Sequence, residues 1–193
     1  MAFYGYEFNK MKPMTGWRRK FQTFLKVFYG KIIALSSGLS IVDKHLTDYD
    51  YSNYLGSEYK GKQRLPVQTP TLISNHVSQY DNVAICARYS PDFVADSATL
   101  KMPIIGKLNI FAGCLFVSIE GEKSNDERNK IMDVIRERQV LAEKTKEVNQ
   151  VAIFPEGSTS NGNYLLPLKR GAFDSFKPIK PIVLKYSDYW ISP

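Results

Sequence analysis

Thr71-Leu72-Ile73-Ser74-Asn75-His76-Val77-Ser78-Gln79-Tyr80-Asp81 is the stretch on which the reading of this chain turns. The short run Thr71–Ile73 reads as a strand, and Val83-Ala84-Ile85-Cys86-Ala87 beyond it reads as the buried part of a helix. A strand that breaks at a His and resumes as a helix beside an Asp begins a layered α/β unit. His76 then lies in the break and Asp81 in the first helical turn.

That placement decides whether the two side chains can meet. On one ideal helix they would point about 140° apart, so His76 must precede the helix. Ser78 is the expected N-cap, which makes Asp81 the third helical residue in a capping-box arrangement. The cap alone accounts for Asp81. Alternatively, its carboxylate orients an imidazole that acts as a base. The chain's second His, His45, has the same spacing to Asp50. It lies among Asp43, Asp48 and Tyr49 with no strand before it, and reads as an exposed side chain.

Outward from this stretch, elements alternate. Helix is predicted over 79–89, strand at Phe93-Val94-Ala95, helical turns through Leu108, and strand over 114–119. A long charged helix follows over 125–146 with Ile131, Met132, Ile135 and Leu141 inward. Strands are predicted at Val151–Phe154 and Ile182–Leu184. The alternation predicts an α/β layered domain with a central, mostly parallel or mixed sheet flanked by helices. Apolar strands without polar alternation fit a sheet covered on both faces. In such sheets reactive side chains gather at strand exits. His76 follows one predicted strand and Glu156 another, so both can reach one crevice.

The 193 residues suit one compact domain with an extension. Boundaries fall at 1–50 for the N-terminal segment and 51–193 for the domain. Cys86 and Cys114 sit in apolar surroundings with no Cys-x-x-Cys pair, which argues against a disulfide scaffold or zinc site. No cluster of metal ligands is expected.

The net charge of +7 is uneven. Residues 1–31 hold seven basic side chains against Glu7, and the remainder is nearly balanced. A basic end on a neutral body points to an anionic surface. Phe21, Phe24, Leu25, Phe28, Ile32, Leu35 and Leu39 recur at helical spacing, with Thr23, Lys26 and Gly30 opposite. With Trp17, Arg18, Arg19 and Lys20 at its start, this segment reads as an interfacial membrane helix. Its charge-free run, Ile32 to Val42, is well short of the ~20 residues that span a bilayer. The alternative is an amphipathic helix packed on the protein's own core. Nucleic acid is not expected, because basic residues beyond the N-terminus are matched by acids.

A second loop, Phe154-Pro155-Glu156-Gly157-Ser158-Thr159-Ser160-Asn161-Gly162, combines a carboxylate, glycines and hydroxyls. Small residues let backbone N–H groups approach an anion, and Lys169 and Arg170 follow within reach of a phosphate. The same loop also reads as a Gly-rich turn with Glu156 solvated.

Taken together, these segments resemble the glycerolipid acyltransferases. Asn75–Asp81 resembles the family's first motif and Phe154–Ser160 its third. Leu168–Phe173 and Lys177–Val183 resemble the segments that follow. The likeness covers roughly residues 65–187 and is strongest to the lysophosphatidylcholine acyltransferase-like branch. It implies acyl transfer from acyl-CoA to the hydroxyl of a lysophospholipid or glycerol-3-phosphate, with no cofactor beyond the acyl-CoA co-substrate. His76 would be the base and Asp81 its orienting partner. Glu156 and the backbone of Gly157, Ser158, Thr159 and Ser160 would position the head group, with Lys169 and Arg170 near its phosphate. It also implies residence at the endoplasmic reticulum membrane, with the site facing the cytoplasm.

Two departures accompany the likeness. Ile119 stands where the second motif carries a phosphate-holding Arg, so phosphate binding either rests on other groups such as Lys101, Lys169 or Arg170 or is weak. The chain also ends about ten residues past Lys177–Val183, the likeness to the family's fourth motif, as a fragment or short form would. Both leave open a catalytically impaired relative that binds lipid or acyl-CoA.

Overall fold

The computed structural model describes residues 12–44, 52, 69–117 and 125–186, with side chains in the segment from 125 described at 129 and from Ile131 onward. His45 and Ile119 lie outside these residues. Helix α1 (Gly16–Ser36) is followed by strand β1 (Thr71–Ser74) and helix α2 (Asp81–Tyr89). Strand β2 (Asp92–Asp96), helix α3 (Ile105–Phe111), strand β3 (Leu115–Val117) and helix α4 (Asn125–Lys144) come next. Strands β4 (Val151–Ile153) and β5 (Ile179–Ile182) complete the order.

The five strands form one sheet in the order β3-β2-β4-β1-β5, and every described pair is parallel. Parallel strands put all their exits on one edge. Alternate residues then divide between two faces. Leu72, Phe93, Phe116 and Ala152 pack with Ile85 of α2 on one face. Leu115, Val151 and Ile153, with Ile73 and Val94, pack with Ile135 of α4 on the other. Leu72 is 1% exposed, so truncating it to Ala would cost about 2–5 kcal/mol.

Three expectations need correction. The last strand is β5, three residues earlier than predicted. It contains Pro181, which an edge strand tolerates because one side needs no ladder donor. Helix α2 starts at Asp81, not after Ser78. The Ser78 hydroxyl instead accepts the Tyr80 N–H at 3.2 Å. Leu141 of α4 is largely outward, because the inner stripe is Ile135, Arg138, Gln139 and Ala142. Gln139 earns that place by donating to the Thr71 hydroxyl and the Ala172 carbonyl.

Helix α1 packs on α2 by its polar and small side: Gln22, Lys26, Gly30 and Ala34 are the buried residues. Gly30 meets the α2 backbone, where a Cβ would lie 3.0 Å from the Ala87 nitrogen. Lys26 donates to the carbonyls of Pro91 and Ala112 and lies 3.3 Å from Asp92. Gln22 donates to the Phe111 carbonyl. Two of these acceptors, Phe111 and Ala112, are carbonyls at the end of α3, which has no intrahelical partner for them. The aromatic face is left outward, with Phe24 59% and Leu35 80% exposed.

Candidate active site

Register builds the site. β1 and β4 are neighbours, with Ile73 opposite Ile153. Three residues further along each chain stand His76 and Glu156, level with one another at the common exit edge. The connection after β1 crosses toward β2, whereas that after β4 passes to β5 on the other side. The two connections leave adjacent strand ends in opposite directions, and the exit edge is the usual location for a ligand in such sheets.

His76 is held from several sides. Its Nδ1 lies 2.8 Å from Asp81 Oδ2. Its ring stacks on Phe154 with centroids 4.1 Å apart. Its backbone N–H donates to Glu156 Oε1 at 2.9 Å, and its carbonyl accepts the Ser160 N–H at 2.8 Å. The second loop therefore grips the peptide of the very residue it faces. Among the described residues, no partner engages Nε2 of the imidazole.

Asp81 is fully buried. Besides the imidazole, its Oδ2 accepts the backbone N–H groups of Val77 and Ser78, at 2.7 and 2.9 Å. Its Oδ1 accepts the Tyr186 hydroxyl at 2.6 Å. Burial raises the carboxyl, but the bonds from His76, Tyr186, Ser78 and Val77 outweigh it and hold it below the usual carboxylate value. The ionised form therefore accepts Nδ1–H, which leaves the lone pair on Nε2. The same oxygen accepts the amides that precede the helix and lies against the ring.

Glu156 does not face solvent. It is buried, with Oε1 on the His76 N–H and Oε2 accepting the Leu166 N–H at 3.0 Å. Both oxygens thus brace backbone around the site. Gly157 has φ +73°, a conformation that favours glycine, and a Cβ there would overlap the Lys169 ammonium. Lys169 thus lies over the loop, as expected of a charge beside it. Ser158 and Thr159 are exposed, and the Ser160 hydroxyl accepts the Gly162 N–H at 3.3 Å. Arg170 is turned to Asp174, 3.4 Å away, and Lys101 ends an exposed helical turn after β2. Burial pushes both thiols up, Cys114 to about 12, so neither is set up as a nucleophile.

Tyr186, Phe154 and Asn75 contribute to the site without having been expected to. Asn75 bonds both backbone groups of Leu184, at 2.8 and 2.9 Å. This extends the β1–β5 pairing one step past the sheet. The signal for it was weak: Leu184 ended a predicted strand and Tyr186 followed it, which becomes informative once the register is known.

A model of the acyltransferase family matches residues 56–185. The chain belongs to the acyltransferase family. It is 29% identical over 182 residues to the lysophospholipid acyltransferase LPEAT1 of Arabidopsis thaliana, covering 90% of this chain and 45% of that one. It is also 29% identical to the lysophosphatidylcholine acyltransferase of Drosophila melanogaster, over 92% of this chain and 29% of the relative. Human lysophosphatidylcholine acyltransferase 2 matches at 29% over 90% and 28%. The acyltransferase chain thus spans less than half the length of each of these relatives. The crystal structure of the 1-acyl-sn-glycerophosphate acyltransferase PlsC from Thermotoga maritima shares the fold. Its TM-score is 0.55 at 16% identity, over 84% of this chain and 57% of that one.

Proposed function

We propose that this acyltransferase moves a fatty acyl group from acyl-CoA to the hydroxyl of a lysophospholipid or glycerol-3-phosphate, with His76 as general base. The observation that carries the reading is the His76–Asp81 pair, in which Nδ1 is held at 2.8 Å and Nε2 is left for substrate.

The acceptor hydroxyl gives its proton to Nε2 as its oxygen attacks the thioester carbonyl. Asp81 stabilises the imidazolium that forms. The tetrahedral intermediate collapses, the C–S bond breaks, and the CoA thiolate takes the proton back from the imidazolium. In this reading the exposed hydroxyls of Ser158 and Thr159 and the Lys169 ammonium meet the acceptor's phosphate. Glu156 acts indirectly, by bracing the His76 and Leu166 backbone.

The same reading puts the reaction at the endoplasmic reticulum membrane, with the site on the cytoplasmic side. Among the described residues no helix is long and apolar enough to cross a membrane. Helix α1 instead carries an outward aromatic face bearing Trp17, Phe24 and Phe28, with exposed Lys20 and Lys31 on the same helix. Aromatic rings and cations together suit the headgroup–acyl boundary.

The test is CoA release from palmitoyl-CoA in detergent–lipid micelles, with a panel of lysophospholipids and glycerol-3-phosphate as acceptors. Acceptor-dependent release that His76→Ala abolishes is expected. Lipid binding without release from any acceptor would overturn the enzyme reading in favour of a binding relative. Sedimentation with anionic vesicles should fall for the Phe24→Ala/Phe28→Ala variant, and unchanged sedimentation would remove the role given to α1.

A further inference from the structure

We propose that Tyr186 is a positioning residue for the His76–Asp81 pair, turning it into a His–Asp–Tyr relay of fixed geometry; this rests on the function proposed above. The Tyr186 hydroxyl donates to Asp81 Oδ1 at 2.6 Å. Among the described residues it is the sole donor to that oxygen, because Val77, Ser78 and His76 all converge on Oδ2. Without it, one oxygen of a fully buried carboxylate has no partner, and the carboxylate can rotate about the other.

The fold delivers this ring deliberately. β5 runs beside β1 with Ser74 opposite Ile182. Asn75 then carries the pairing on to Leu184, two residues before Tyr186. The residue just before His76 therefore sets the position of the phenol behind Asp81. The ring is held as a donor, since burial and the adjacent carboxylate push Tyr186 up. A phenol suits the task better than an ammonium or guanidinium would. It fixes the carboxylate by a hydrogen bond and leaves the negative charge available to stabilise an imidazolium. Among the described residues, the charged groups bonded at the pair are Asp81 itself from α2 and Glu156 from the β4 exit, the latter through the His76 N–H.

The test uses Tyr186→Phe in the full chain, which keeps the ring and deletes the donor, alongside His76→Ala. In the palmitoyl-CoA assay, kcat is expected to fall roughly ten-fold, the scale of one hydrogen bond to a charged group, with KM little changed. The acidic limb of the kcat–pH profile, which belongs to the pair, should move to higher pH as Asp81 loses one of the bonds that lower it. Independently of turnover, 15N-histidine spectra read the tautomer, with His76→Ala separating the signals of His76 and His45. Wild type should show a protonated Nδ1 at neutral pH, and Tyr186→Phe should shift the signals toward the average of both tautomers. A Tyr186→Phe protein with wild-type kcat, pH profile and spectrum overturns the proposal. If the wild type shows no acyl transfer, the proposed function fails, and the spectra alone decide whether Tyr186 orients the pair.

Discussion

Asp81 and Asp92 are both buried and both surrounded by donors, yet they are built for opposite purposes. Asp81 stands at the exit edge of the sheet and is held by neutral groups: two backbone amides, a phenol and an imidazole. Asp92 begins β2 at the opposite edge and is held mostly by cations. Lys26 lies at 3.3 Å and Arg138 at 2.7 Å, with the Asn149 amide at 2.9 Å. Neutral donors fix a carboxylate and leave its charge to act on a neighbour. Cations cancel the charge and turn the carboxylate into a staple, here joining α1, α4 and the sheet. The kind of donor therefore distinguishes a chemical aspartate from a structural one better than burial does.

The largest expected effect tests the chemical side of this contrast. Asp81→Asn should lower kcat by roughly 10³–10⁴-fold, as in other His–Asp pairs that lose the correct tautomer. Asp92→Asn, assayed where it remains folded, should stay within about twofold of wild type, the range left when no group near the chemistry changes. A folded Asp92→Asn protein that is inactive would break the comparison.

Stability should show the reverse order. Asp92→Ala leaves Lys26 and Arg138 buried without their shared partner, at a cost of about 3–5 kcal/mol in urea unfolding. A loss well under that would mean water or another group takes over the staple.

Glu156 sharpens the contrast with a smaller effect. Glu156→Gln replaces an acceptor oxygen with an NH₂ that faces a backbone N–H, so about 1–3 kcal/mol of stability should be lost. kcat should fall with little change in KM for the acceptor. A selective rise in acceptor KM would instead restore the head-group contact that the sequence suggests.

The pH dependence of folding is the subtlest effect. Asp81 is lowered from an ordinary value of 3.8, so its contribution is fully present above the unfolded value. It is lost as pH falls through the folded one. Asp81→Asn should flatten that part of the acid limb of stability, read by thermal unfolding from neutral pH downward.

Much of the fold was legible because it rests on local pattern. The β-rich run Thr71–Ile73, the apolar centre of α2 and the long α4 each appear where periodicity puts them. His76 and Asp81 were legible as a pair because the strand break between them limits their geometry. Glu156 was legible as a site residue but not in its role, since nothing local reveals that two backbone amides will occupy both its oxygens. Tyr186 was not legible, because its value depends on β5 lying beside β1.

Helix α1 marks the same boundary most plainly. Its sequence determined an amphipathic helix with a basic start, because side-chain spacing is a local property. Which face would be buried was decided only by tertiary structure. Open carbonyls after α3 and the Asp92 carboxylate form a polar socket, and a buried polar group must find a partner. Gln22 and Lys26 supply it, Gly30 allows close approach, and the aromatic face is left outside. By itself the sequence determined the alternating elements, the basic N-terminal end and the His–Asp spacing. Sheet order, register and the choice of donors around each aspartate came from contacts between residues far apart in the chain, which no local pattern encodes.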